Sequence, residues 1–205
     1  MSQKTQEQTR QYDFFNVCGS CPIGCCINVR PPVTSRRMGI VQDYLKANKI
    51  AVERPFEKNM YSFPGETEDK RCVFLDKNTK KCRIHPVKPE TCAAGPVTFD
   101  ITLKTGKIEW FLKTEKICPL AGALYGNKEA LKNHLDCARK ELLKLVHDLD
   151  SEALRAILRI EEPDTFKIGE DDLDASVLTK LKPSVNCDRK DQGTLNQITL
   201  NTDKL

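Results

Sequence analysis

The sequence predicts an α+β fold: a small cysteine-rich core with short antiparallel hairpins, then a helical C-terminal part and a flexible tail. Three observations predict it. Four cysteines fall within nine residues (Cys18-Gly19-Ser20-Cys21-Pro22-Ile23-Gly24-Cys25-Cys26), and Cys72, Cys82, Cys92 and Cys118 follow. Residues 97–103 and 108–112 alternate apolar and polar side chains around Lys104-Thr105-Gly106-Lys107, the pattern of a hairpin with Gly at the permissive turn position. From Asn127 onward Leu131, Leu135, Ala138, Leu142, Leu145 and Leu149 recur at helical spacing.

The cysteine cluster carries the chemistry. Thiolates bind soft and borderline metals, and a Cys-x-x-Cys pair lets one turn of backbone present two sulfurs to one ion or cluster. Gly19 and Gly24 suit such a turn because a chain wrapping a metal often needs positive φ, and Pro22 removes one amide donor and stiffens the loop. Disulfides fit less well. Residues 1–13 are polar and contain no apolar signal segment, reducing compartments disfavour stable disulfides, and a Cys25–Cys26 bridge would close a strained ring. Free buried cysteines are common singly but do not account for this density. The reading is metal or iron–sulfur ligation in the cytoplasm.

In chain order, residues 1–13 read as a flexible N-terminus. A cysteine-cluster metal-binding domain is expected over 14–125, a helical hairpin packed on it over 126–163, and an acidic, polar tail over 164–205. Phe14, Phe15 and Val17 lead into the cluster and are expected to exclude water beside it. Thr34 or Ser35 caps a helix over 35–47 that bears Met38, Val41 and Leu45. Residues 52–56 and 60–63 read as short strands, followed by a Pro64-Gly65 turn. Asp76-Lys77-Asn78-Thr79 reads as a tight turn between two short strands that bring Cys72 and Cys82 together. Pro86 and Pro89 then return the chain at Cys92. His85 fits either a direct ligand or a hydrogen-bonding neighbour of the ligands, and the second role is the one expected.

Asn127 and Asp150 or Ser151 are the expected caps of two helices, the second ending before Pro163. Trp110 reads as a core or rim aromatic, Cys137 as a buried or half-buried thiol, and His134 and His147 as solvated. Residues 184–205, with Cys187, lack the apolar side chains to offset ordering entropy.

Composition excludes several classes. The chain has 205 residues and a formal charge of +4, too small an excess to argue for a nucleic-acid partner. No run approaches the roughly 20 apolar residues of a membrane helix. No dinucleotide loop, phosphate-binding Gly-x4-Gly-Lys-Ser/Thr or His-Glu-x-x-His motif is present, and no catalytic residue stands out.

Cys-x2-Cys-x3-Cys-Cys, then Cys72-x-Phe74-Leu75, then Cys82-x-Ile84-His85-x-x-Lys88-Pro89-x-x-Cys92, resembles the YkgJ-type cysteine-cluster family, described as zinc- or iron-chelating. The family commonly has Tyr at the place of His85 and Arg at the place of Lys88. The resemblance extends over about residues 14–120 and implies a metal site more firmly than an activity. It adds Cys118, placed where a family member's late cysteine often lies. The implied ligand set is Cys18, Cys21, Cys25, Cys26, Cys72, Cys82, Cys92 and Cys118. Flagellin lysine methylases carry a similar cluster, and no further motif ties this chain to them.

Two four-thiolate zinc sites and an all-thiolate 4Fe–4S cluster both account for these thiols. The adjacent Cys25 and Cys26 do not easily point at one small ion. The crowding of sulfur alone favours iron–sulfur. The leading functional expectation is a metal-binding protein with a redox, metal-handling or accessory role. The alternatives are an iron–sulfur-dependent modifying enzyme of methylase type and a zinc-stapled interaction module. The expected partner is metal, with no membrane, no nucleic acid and an unidentified protein partner left open.

Overall fold

The computed structural model describes residues 14–182 apart from residues 22 and 23, with the backbone alone for residues 14–16. Among them the chain forms helices α1 (Phe14–Gly19) and α2 (Ser35–Ala47), then strands β1 (Phe56–Lys58) and β2 (Ser62–Pro64). Helix α3 (Glu90–Ala94), the hairpin β3 (Val97–Thr102) and β4 (Lys107–Lys113), and helices α4 (Pro119–Tyr125), α5 (Lys128–Asp148) and α6 (Ser151–Ile157) follow. Strand β5 (Thr165–Asp172) and helix α7 (Ala175–Leu181) close the described chain. The fold is mixed α+β, as the sequence predicts.

Helix starts are set by side-chain caps. Thr34 Oγ1 accepts from the Arg37 amide at 3.1 Å, Asn127 Oδ1 from Ala130 at 3.0 Å, and Asp150 Oδ1 from Ala153 at 2.8 Å. Each satisfies a first-turn N–H that has no partner within the helix. The antiparallel sheet has the order β3-β4-β5. Gly106, at φ +68°, makes the β3–β4 turn. Along β4 the side chains of Ile108, Trp110 and Leu112 alternate inward and are completely buried. They meet Leu142, Leu145 and Val146 of α5 and Leu154 of α6 in the larger of two cores. A smaller core of Val41, Leu45, Phe74 and Ile84 lies in the N-terminal half, with Cys72 and Cys82 packed at its side.

Three expectations change. Strands expected at 52–56 and 60–63 are displaced to Phe56–Lys58 and Ser62–Pro64. Pro55 has no amide to donate to a ladder; its carbonyl instead accepts from Gly65 at 3.0 Å, and pairing begins at Phe56 opposite Pro64. Between Cys72 and Cys82 there is a turn, held by Asp76 Oδ1 accepting from Asn78 and Thr79, and a single bridge between Leu75 and Cys82 in place of two strands.

The tail expected from residue 164 is structured to residue 182. Its charges pair along and across the sheet: Lys167 Nζ lies 2.6 Å from Glu170 of the same strand and 2.6 Å from Glu109 of β4, and Lys107 Nζ of β4 lies 3.0 Å from Asp172. Leu173, Val177 and Leu181, spaced four apart, enter the larger core. Lys180 Nζ donates to the carbonyls of His147 and Leu149 at 2.7 Å each, closing the end of α5. Residues from 183 on, including Cys187, lie outside the described residues. No helix among the described residues is long and apolar enough to cross a membrane.

Candidate metal centre

Four segments bring the cysteines together. Cys18 lies in the last turn of α1, and the Cys21 amide donates back to its carbonyl at 3.2 Å. Gly24 then turns the chain at φ +59°, where a side-chain-bearing residue would be strained. The second segment lies antiparallel against the first. Ile27 bridges Arg71, the Asn28 amide donates to Lys70 O at 2.8 Å, and the Cys72 amide donates to Cys26 O at 2.8 Å. The Asp76 turn returns Cys82 beside Cys72. A single 3-10 turn, His85–Val87, leads through Pro89 into α3, which carries Cys92. Cys118 caps α4, its amide donating to Thr114 O at 3.0 Å, and α4 packs on α1. All eight of these thiols are free of disulfides.

The thiols lie within electrostatic reach of one another. Burial, and then Cys25, push the Cys18 thiol up, with Cys118 and Cys21 adding to the effect. Burial raises Cys118, which also feels Cys25 and Cys21. Burial pushes Cys72 up to about 11 and raises Cys92, which feels Cys72, Cys25 and Cys82. Cys82 is raised by burial and feels Cys25. At the centre, the Cys25 and Cys26 thiols are hydrogen-bonded to each other. That bond lowers Cys25 to about 6, assisted by Lys113 and Lys88, and drives Cys26 up. Cys18, Cys21 and Cys118 thus neighbour one another, as do Cys26, Cys72 and Cys92 and also Cys72, Cys82 and Cys92, and Cys25 acts on members of both groups.

The donor chemistry fits a thiolate-held metal group. Cys18 and Cys25 are exposed and the other six are half-buried; partial desolvation makes a thiol resist losing its proton, and a metal ion supplies the positive charge that makes the thiolate favourable. Among the described residues no three Cys, His, Asp or Glu side chains close on a single ion position.

Lys88 and Lys113 were not singled out as part of the site by sequence reasoning. Lys88 acts on Cys18, Cys25, Cys82 and Cys92. Its position between Pro86 and Pro89, in the loop that joins Cys82 to Cys92, was the available signal. Two expectations are corrected. His134 is half-buried rather than solvated, its ring N–H donating to Ala94 O at 3.0 Å, and burial lowers its pKa. Cys137 is exposed, because it lies one position before the buried Ala138 on α5 and so projects from another face. His85 is partly buried, its amide donating to Cys82 O at 3.2 Å, and burial lowers its pKa too.

Residues 17–119 match the family CxxCxxCC, described as "Putative zinc- or iron-chelating domain". A relative, Uncharacterized protein MJ0661 of Methanocaldococcus jannaschii, is 31% identical over 103 residues. That match covers 47% of this chain and 54% of the relative, so the chain spans about half the relative's length. No solved structure matches the chain.

Proposed function

The chain belongs to the CxxCxxCC family, and on that premise we propose that it holds a 4Fe–4S cluster through its cysteine thiolates and serves a redox, metal-handling or accessory role in the cytoplasm. The observation that carries this reading is the donor set: eight thiols from four segments, all sulfur, placed within electrostatic reach of each other. The ligands are drawn from Cys18, Cys21, Cys25, Cys26, Cys72, Cys82, Cys92 and Cys118. A cluster held this way supplies one-electron chemistry at a potential set by its charge, hydrogen bonding and exposure to solvent.

The protein's own groups bear on each of these. Lys88 and Lys113 place positive charge beside an anionic thiolate assembly. Phe74 and Ile84, both buried, cover Cys72 and Cys82 on the side away from solvent. Free thiols in this number persist in a reducing compartment, which supports the cytoplasmic assignment.

Zinc is the second reading. The count of eight thiols favours it, since four thiolates are the usual complement of one structural zinc ion. Anaerobic purification followed by metal and labile-sulfide analysis and a visible spectrum separates the two. Iron with matching sulfide and broad charge-transfer absorption is the expected result; a colourless protein with zinc overturns it.

A further inference from the structure

Glu90 is a carboxylate with 2% of its surface exposed, two residues before Cys92 in the first turn of α3. A buried charge of this kind is costly unless it is paired and hydrogen-bonded. Here it is. Thr34 Oγ1 donates to Glu90 Oε1 at 2.7 Å, and Arg37 Nε lies 3.6 Å from the same oxygen. The Arg37 guanidinium also donates to Lys88 O at 3.1 Å and pairs through Nη2 with Glu141 of α5. One cation therefore joins α2, the loop before α3, α3 itself and α5.

The other end of α3 is held as well. His134 of α5 donates to the carbonyl of Ala94, the last residue of α3. His134 and Glu141 are seven residues apart, which is two turns, so they share one face of α5. Ala138 lies between them on that face and is completely buried, as is Ala94. Two small side chains let backbones approach closely, and α3 packs against α5 here.

A five-residue helix has no stability of its own in water. Its placement must come from what grips it. From this geometry we infer that Arg37, Glu90 and His134 are positioning residues. They seat α3 on α5 so that the Cys92 thiol is held in a fixed place relative to Cys72 and Cys82. The inference rests on the metal-binding reading for its purpose, and on the clamp geometry for its mechanism. Residues that orient a ligand without touching the metal commonly govern affinity by about tenfold or more.

The test uses the full chain with the metal it carries when isolated. Glu90→Gln and Arg37→Met are compared with Asp150→Ala, which removes the cap of α6 and leaves the clamp intact. Metal release to a competing chelator and the thermal midpoint are measured for each. Release about tenfold faster in Glu90→Gln and Arg37→Met than in Asp150→Ala, at a comparable loss of midpoint, is expected. Release that follows the midpoint alone in all three overturns the inference. Glu141→Gln, which leaves the Glu90–Arg37 pair in place, carries the same comparison if the stronger variants do not fold.

Alkylation of Cys92 in metal-stripped protein, read by peptide mass, separates this inference from the metal assignment. Slower modification of Cys92 in the parent chain than in Arg37→Met supports the clamp whichever metal binds. Equal rates overturn the clamp even if the metal assignment stands.

Discussion

The indole Nε1 of Trp110 on β4 donates to the carboxylate of Asp171 on β5 at 2.6 Å. Arg139 of α5 lies over the same ring, 5.7 Å from its centroid, with its Nε 3.4 Å from Asp171. Gly169 faces Trp110 across the strands, and a Cβ there would come within 3.0 Å of the Arg139 guanidinium. The acidic strand is thus tied to the buried aromatic at the centre of the sheet.

Removal of residues 164–205 should therefore abolish cooperative unfolding, because it strips β4 of its partner strand and exposes Trp110. Leu173→Ala alone should cost about 2–5 kcal/mol, the usual range for a buried leucine. Chemical denaturation followed by tryptophan fluorescence checks both; an unchanged midpoint in Leu173→Ala would show that Leu173 is not part of the core.

Single Cys→Ser replacements should divide the cysteines. Cys21, Cys26 and Cys92 should each lower the metal bound per chain, whereas Cys137, exposed on α5, should leave it unchanged. Elemental analysis of the isolated variants decides this, and equal losses for Cys137→Ser and Cys21→Ser would sink the ligand assignment.

Stripping the metal under reducing conditions should loosen the two halves unequally. The smaller core beside Cys72 and Cys82 centres on Val41, Leu45, Phe74 and Ile84, while the larger one joins the sheet to α5, α6 and α7. Amide exchange should accelerate first in the Cys18–Cys26 and Cys72–Cys92 segments and last at Leu142–Val146. Simultaneous loss of protection in both regions would show a single cooperative unit.

His134 should make stability pH-dependent. Burial, with Lys88 as a nearby like charge, holds its pKa below the ordinary 6.5. The unfolded chain therefore takes up the proton first as pH falls. The stabilising contribution is complete above pH 6.5 and is lost as pH drops toward the depressed value. His134→Gln, which keeps a donor for Ala94 O, should weaken this acid dependence. Parallel stability–pH curves for the two proteins would remove His134 as a contributor.

Local signals in the sequence were read well where they act alone. The caps Thr34, Asn127 and Asp150, the Gly106 hairpin and the period of α5 depend on neighbours within a few residues, so they could be placed without the fold. The register between Cys26 and Cys72 could not, because it is set by backbone pairing across 45 intervening positions. The acidic run at Glu170-Asp171-Asp172 looked like a solvated tail because its lysine partners, Lys107 and Lys167, come from two strands. Glu90 resembles any exposed glutamate in a short charged stretch until Arg37 and Thr34 are brought over it.

The packing of α1 on α4 has a consequence for synthesis. Cys18 and Cys118 lie on either side of that contact, so a metal group shared between them cross-links positions 100 residues apart. Closing a loop of that length removes conformational entropy from the unfolded chain, worth about 4.7 kcal/mol in the chain-entropy description used for covalent cross-links. It also means that a chain emerging from the ribosome can gather Cys18 to Cys26 early but must wait for residue 118 before that loop can close. Until then the first thiols are open to the solvent and to any metal or oxidant in it.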